Sequence, residues 1–289
     1  MIEPVSRPTL GILDQGTLFT CANAEDYGDC NVRGIVITAR CDIAQSKAPV
    51  FNYLPVVPFD DWIHRDGRSI LCERLGKATL GKMKNCLRSA GQSETLLSTQ
   101  TPADILRVTF GVAEGTPPRK GSPAQFFRLV KEQEAITACL NSSAKDCAVV
   151  GLAKDFSGDR DALVGELLDQ RLNGYYFLPS VAPKDDQPGY VVLLRQVRHI
   201  SRDLARRVGA GLTRDEYSSE YGNKPELLGS LSFLQEEFAM PIGALRSPYI
   251  EHLMQVFSSL FSRIGLPDLD TSYTDTLWDA QPSVVRKRT

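Results

Sequence analysis

Short β-branched and aromatic runs stand at both ends of a stretch of about one hundred residues whose apolar positions recur three and four apart, and this interruption limits the folds open to the chain. Thr17–Thr20, Gly34–Thr38 and Tyr53–Val57 precede the break, each bounded by Gly, Asp, Asn or Pro. Tyr175–Leu178 and Tyr190–Leu194 follow it, and the turn-rich PSVAPKDDQPG between them predicts a hairpin with a long loop. RQVRHI prolongs the second run towards Ile200. Neither group alone has enough strands to bury a stable core, whereas all of them in one sheet can curl into a small barrel. The expectation is an α+β protein. Its barrel-like sheet spans 15–62 and 174–243, a helical insertion over 63–173 packs outside it, an amphipathic helix over 246–266 lies on the body, and 270–289 forms a flexible tail.

Cap signals place the helices. Thr101-Pro102 and Ser122-Pro123 pair a capping hydroxyl with a first-turn proline, and Ile70–Leu87 carries a clear stripe. Ser157–Leu172 turns Leu163, Leu167 and Leu168 inward, with Gly174 suited to the position past the helix end. Ser201–Ala210 sets Leu204 and Val208 on one side and Arg202, Arg206 and Arg207 elsewhere. Ser247–Ile264, capped by Ser247-Pro248 and stopped by Gly265 and Pro267, has a stripe broad enough that most of its length should be buried.

Thirty-three Lys and Arg against 35 Asp and Glu leave a net charge of −2, so any nucleic-acid site must be a local basic patch. The start MIEPVSRPTL has no apolar leader core, and no run approaches the roughly 20 apolar residues that span a bilayer. A cytoplasmic protein without a membrane partner is expected. Seven cysteines without a CxxC or CxxxH spacing predict neither a disulfide framework nor a metal site. No phosphate-cradling, dinucleotide, nucleophile-elbow, zincin or EF-hand motif is present, so no cofactor is expected.

Two clusters remain. Arg40-Cys41-Asp42 sits where a strand empties into a loop: Arg40 could lower the Cys41 thiol pKa if a base such as His64 came near, or Asp42 could cap the loop while Cys41 packs. The second, Arg195, Arg198, Arg202, Arg206 and Arg207, is the densest run of one sign and suits phosphate or an acidic partner, or a solvated face paired with Glu216, Glu220 and Glu236.

Arg33-Gly34-Ile35-Val36-Ile37-Thr38, followed by Leu54-Pro55-Val56-Val57-Pro58, resembles the opening of the PemK/MazF-type, SH3-like small barrel over about 60 of 289 residues. The resemblance implies a sequence-specific ribonuclease with Arg33 at the scissile phosphodiester. Gly34 replaces the family's proline, and Phe59 and Asp60 stand where its second polar residue belongs. ITARCDIAQSK, YFLPSV and SPYIEHLMQVFSSLFSRIGLP are similar in style to bacterial proteins of multi-gene phage-defence or conflict loci. The leading expectation is a non-catalytic accessory or adaptor subunit that binds a partner protein in such an assembly. The alternative is a PemK/MazF-like ribonuclease or RNA/DNA-binding module.

Overall fold

A computed structural model describes residues 3–113, 117–143, 148–222, 230–234 and 236–262. Strands β1 (Val5–Ser6), β2 (Thr17–Phe19) and β3 (Arg33–Val36) lead through α1 (Arg40–Ala44) to β4 (Val50–Pro58). From β4 the chain passes without a loop into α2 (Phe59–Trp62), a π-type wide turn over Ile63–Gly67, and α3 (Arg68–Ser89). Next come α4 (Leu96–Thr99), α5 (Pro102–Asp104) with a second wide turn over Ile105–Thr109, α6 (Gly121–Asn141), α7 (Ala148–Asp155) and α8 (Ser157–Leu168). Strands resume as β5 (Tyr175–Leu178), β6 (Tyr190–Leu193) and β7 (Arg198–Ser201), before α9 (Arg202–Ala210), β8 (Leu212–Thr213) and α10 (Arg214–Tyr221). The described chain ends with β9 (Phe238–Ala239), β10 (Pro241–Leu245) and α11 (Tyr249–Phe261).

Both groups of strands belong to one antiparallel sheet. Its order is β1-β10-β2-β3-β4-β6-β5, with β7 also on β4, and it curls into a half-barrel whose ends are β1 and β5. The sheet therefore reaches beyond the expected 15–62 and 174–243, through β1 at Val5–Ser6 and through Leu245 of β10. Two residues of β1 are too short to carry a periodic signal.

Alternation along the strands sorts two cores. Phe51, Tyr53 and Val57 of β4, with Val191 and Leu193 of β6, face the helical insertion and α9. Leu54 and Val56, with Tyr190 and Val192, face the other way, under Ile250 and Leu253 of α11. Burial on both faces explains why these strands read as nearly continuous apolar runs.

One irregularity positions the candidate site. On the same edge of β4, Val56 pairs with Val192 and Tyr53 pairs with Arg198, so three steps back along β4 match six forward along its neighbour. Three residues, Arg195–Val197, are extra and form a bulge. An odd insertion exchanges the two faces. Odd-numbered Val191 and Leu193 face the insertion before the bulge, and even-numbered Ile200 does so after it.

Several helix details differ from expectation. Ser122 does not cap α6: Lys120 occupies the N-cap and Ser122 lies in the first turn. Helix α8 stops at Leu168, which is exposed, because Gln170 takes the left-handed conformation (φ 57°) four residues before Gly174 can. In α11, Pro248 is the N-cap, Ile250 and Leu253 are buried, and Phe261 is 64% exposed, so the broad stripe is only partly covered. Ile264, Gly265, Pro267 and the expected tail over 270–289 lie outside the described residues.

Candidate functional site: a basic-rimmed pocket between α1 and α9

Helix α9 is set by its cap and its face. The Ser201 hydroxyl accepts from the Leu204 amide at 3.2 Å, and Leu204, Ala205, Val208 and Gly209 are buried. Arg202, directly after the cap, donates from Nε to the Ala48 carbonyl at 2.7 Å and from Nη2 to the Ser46 carbonyl at 2.5 Å. Those bonds tie the α9 start to the loop after α1. Ser46 holds a left-handed backbone there (φ 53°), which turns its carbonyl towards the guanidinium.

The third wall is the strap Gly11–Leu13. The Gly11 amide donates to the Gly209 carbonyl at 2.7 Å, and a Cβ on Gly209 would stand 3.1 Å from Gly11 backbone atoms. A glycine in this helix thus lets the strap lie directly on α9. Between the walls is a pocket of about 200 Å³ lined by strap residues, Ile43, Ser46, Phe51, Arg202, Ala205 and Arg206. Ile12, 54% exposed, gives it an apolar lip, and Leu10, 71% exposed, precedes it on the strap. Among the described residues its lining includes two arginines and no carboxylate.

Of the two clusters singled out in the sequence, only Arg202 and Arg206 line this pocket, and Arg40, Cys41 and Asp42 do not. Arg40 lies one turn before Ile43 on α1 and pairs with Asp14, beside the strap, at 3.2 Å. Cys41 is exposed, with its Sγ 3.8 Å from Asp42 Oδ1. His64 is not brought to it: His64 lies in the first wide turn, with Nε2 3.7 Å from Asp60 Oδ1.

The five arginines do not form one row. Arg207 is taken by Glu220 at 2.6 Å and Glu216 at 3.5 Å. Arg198 on β7 faces Glu25 at 3.5 Å, and Arg195 in the bulge lies against Gly174. Arg202 and Arg206 are the pair at the pocket, and Arg206 is exposed with no ion pair among the described residues.

Arg33 is committed to the fold. Its Nη2 is 2.8 Å from Glu236 Oε1, its Nη1 donates to the Asn31 carbonyl at 3.2 Å, and its side chain is 17% exposed. The same Glu236 carboxylate accepts from the Cys21 amide at 3.3 Å, and burial, then Glu236, push the Cys21 thiol up to about 12. Gly34 beside it leaves no room for a side chain, because a Cβ would stand 2.4 Å from the Phe19 ring.

A second polar cluster, not foreseen from the sequence, lies at the first wide turn. Burial raises the Asp66 carboxyl above the usual carboxylate range, although the Tyr27 and Tyr175 hydroxyls beside it pull the other way. Both hydroxyls are in turn pushed up, by burial first and by Asp66 second. Arg65 stacks over the Tyr27 ring at 5.1 Å and pairs with Asp29 at 2.5 Å, clamping the β2–β3 loop onto the turn. A π-type turn has no apolar periodicity of its own, so only the density of FDDWIHRDG could have marked it.

Among the described residues, no three His, Cys, Asp or Glu side chains are placed to share a metal ion, and no helix is long and apolar enough to cross a membrane. No family model, no curated protein and no solved structure matches the chain.

Proposed function

We propose that this protein is a non-catalytic accessory subunit that binds a partner protein through the pocket between α1 and α9. The observation that carries this reading is the approach of α1 and the loop after it, through Ile43 and Ser46, to Arg202 and Arg206 of α9 around one pocket whose charged lining, among the described residues, is entirely basic. Size supports a protein ligand, since about 200 Å³ falls below the roughly 300–1,000 Å³ typical of small-molecule and cofactor sites. The setting we propose is a bacterial multi-protein assembly of the defence type, on the resemblance noted above. Against the ribonuclease reading stands the engagement of Arg33 by Glu236 and the Asn31 carbonyl, which leaves little of it for a phosphodiester.

Native pull-down with mass spectrometry from the source cell tests this. The parent is expected to retain a partner near unit stoichiometry, and Ile12→Asp combined with Arg206→Glu is expected to lose it while circular dichroism and melting stay unchanged. Retention of the partner by that folded variant would remove the pocket from the interface. Specific RNA cleavage by the purified parent would replace the reading altogether.

A further inference from the structure

We infer that the partner fills this pocket with one bulky apolar side chain flanked by a carboxylate; the inference rests on the accessory-subunit reading. Volume sets the first half. A cavity of about 200 Å³ floored by Leu13, Ile43, Phe51 and Ala205 takes a single large side chain, the kind of anchor that dominates interface energetics. The exposed Leu10 and Ile12 extend the apolar surface past the rim, so the anchor's neighbours gain contact area too.

Charge sets the second half. Arg202 has its Nε and Nη2 occupied by the 46–48 carbonyls, so its guanidinium is held rigidly at the wall. Arg206, one helical turn further, is exposed and unpaired among the described residues. The free Arg206 guanidinium offers the planar N–H pair that matches a carboxylate's two oxygens, and the fixed Arg202 adds its remaining Nη1 and its charge beside it. The nearby acids are already engaged or outside the lining: Asp14 faces Arg40, and Asp203 is exposed on α9. A nucleic acid fits less well, since two arginines over an apolar floor neutralise few phosphates and nucleic-acid affinity is built from many.

Selection from a phage-displayed library of random dodecapeptides on the full chain tests the ligand class without presuming a sequence. Enriched peptides are expected to share a large apolar residue next to Asp or Glu. Measured by fluorescence anisotropy as synthetic peptides, they should bind the folded Arg206→Glu and Ile12→Asp variants at least about tenfold more weakly, a loss near 1.4 kcal/mol. Replacing the acidic residue by its amide should weaken binding to the parent comparably. The inference is overturned if nothing is enriched, if the consensus lacks an acid or an apolar anchor, if both variants bind as the parent does, or if single-stranded RNA displaces the peptide. Its failure is distinguishable from failure of the accessory-subunit reading, because the pull-down reports a partner whatever chemistry the pocket prefers.

Discussion

Asp66 illustrates a residue kept at a cost. Its folded carboxyl titrates above its unfolded value, chiefly through burial, so its contribution to stability is fully present below the unfolded pKa and is lost as pH rises through the folded one. At neutral pH the ionised form is therefore a burden on the fold. We expect Asp66→Asn to raise the melting temperature by a few degrees at pH 7 and to show no such gain near pH 3, where the parent carboxyl is protonated. Paired thermal melts of variant and parent check this, and a variant less stable at pH 7 would mean that the charge supports the turn. None of this was legible locally. The sequence shows Asp66 as one acid among several, while its environment comes from Tyr27 and Tyr175, thirty-nine residues before it and one hundred and nine after it. Likewise nothing near Arg33 announces Glu236, two hundred and three positions away.

At the scale of elements, the strands and α9 were readable because short apolar runs bounded by turn residues, and caps, are local signals. Tyr53–Val57 and Tyr175–Leu178 are such β-branched or aromatic runs, and Ser201 caps the helix it was expected to open. The places where the reading failed have local competitors: a left-handed Gln170 ends α8 early, and Lys120 displaces Ser122 from the cap of α6. Strand β3 offers a sharp test of packing between elements. Phe19 and Tyr53, edge to face at 5.2 Å, close over Gly34, and a Cβ there would meet the Phe19 ring at 2.4 Å. Gly34→Ala should therefore cost about 2 kcal/mol by overpacking, measured by urea denaturation. A neutral result would show that the ring pair can part without loss.

For the molecule as a whole, the insertion has a core of its own, yet it shares two long helices with the core under the sheet. Helix α3 places Leu71, Cys72 and Leu75 in the core under the sheet and Met83, Cys86 and Leu87 in the insertion core; α6 divides the same way, with Ile136 and Cys139 in the first and Phe126 and Leu129 in the second. Two long helices shared between cores should couple them. Leu54→Ala beneath α11 and Met83→Ala in the insertion are each expected to cost about 2–5 kcal/mol and to shift one and the same unfolding transition. Two transitions, moved separately by the two substitutions, would show that the insertion unfolds alone. The bulge at Arg195–Val197 has a different kind of consequence, for inheritance. Because the exchange of faces depends on an odd number of extra residues, what this segment must preserve above all is a count: loss or gain of a single codon would turn Ile200 away from the core and misdirect the helix carrying the pocket's arginines.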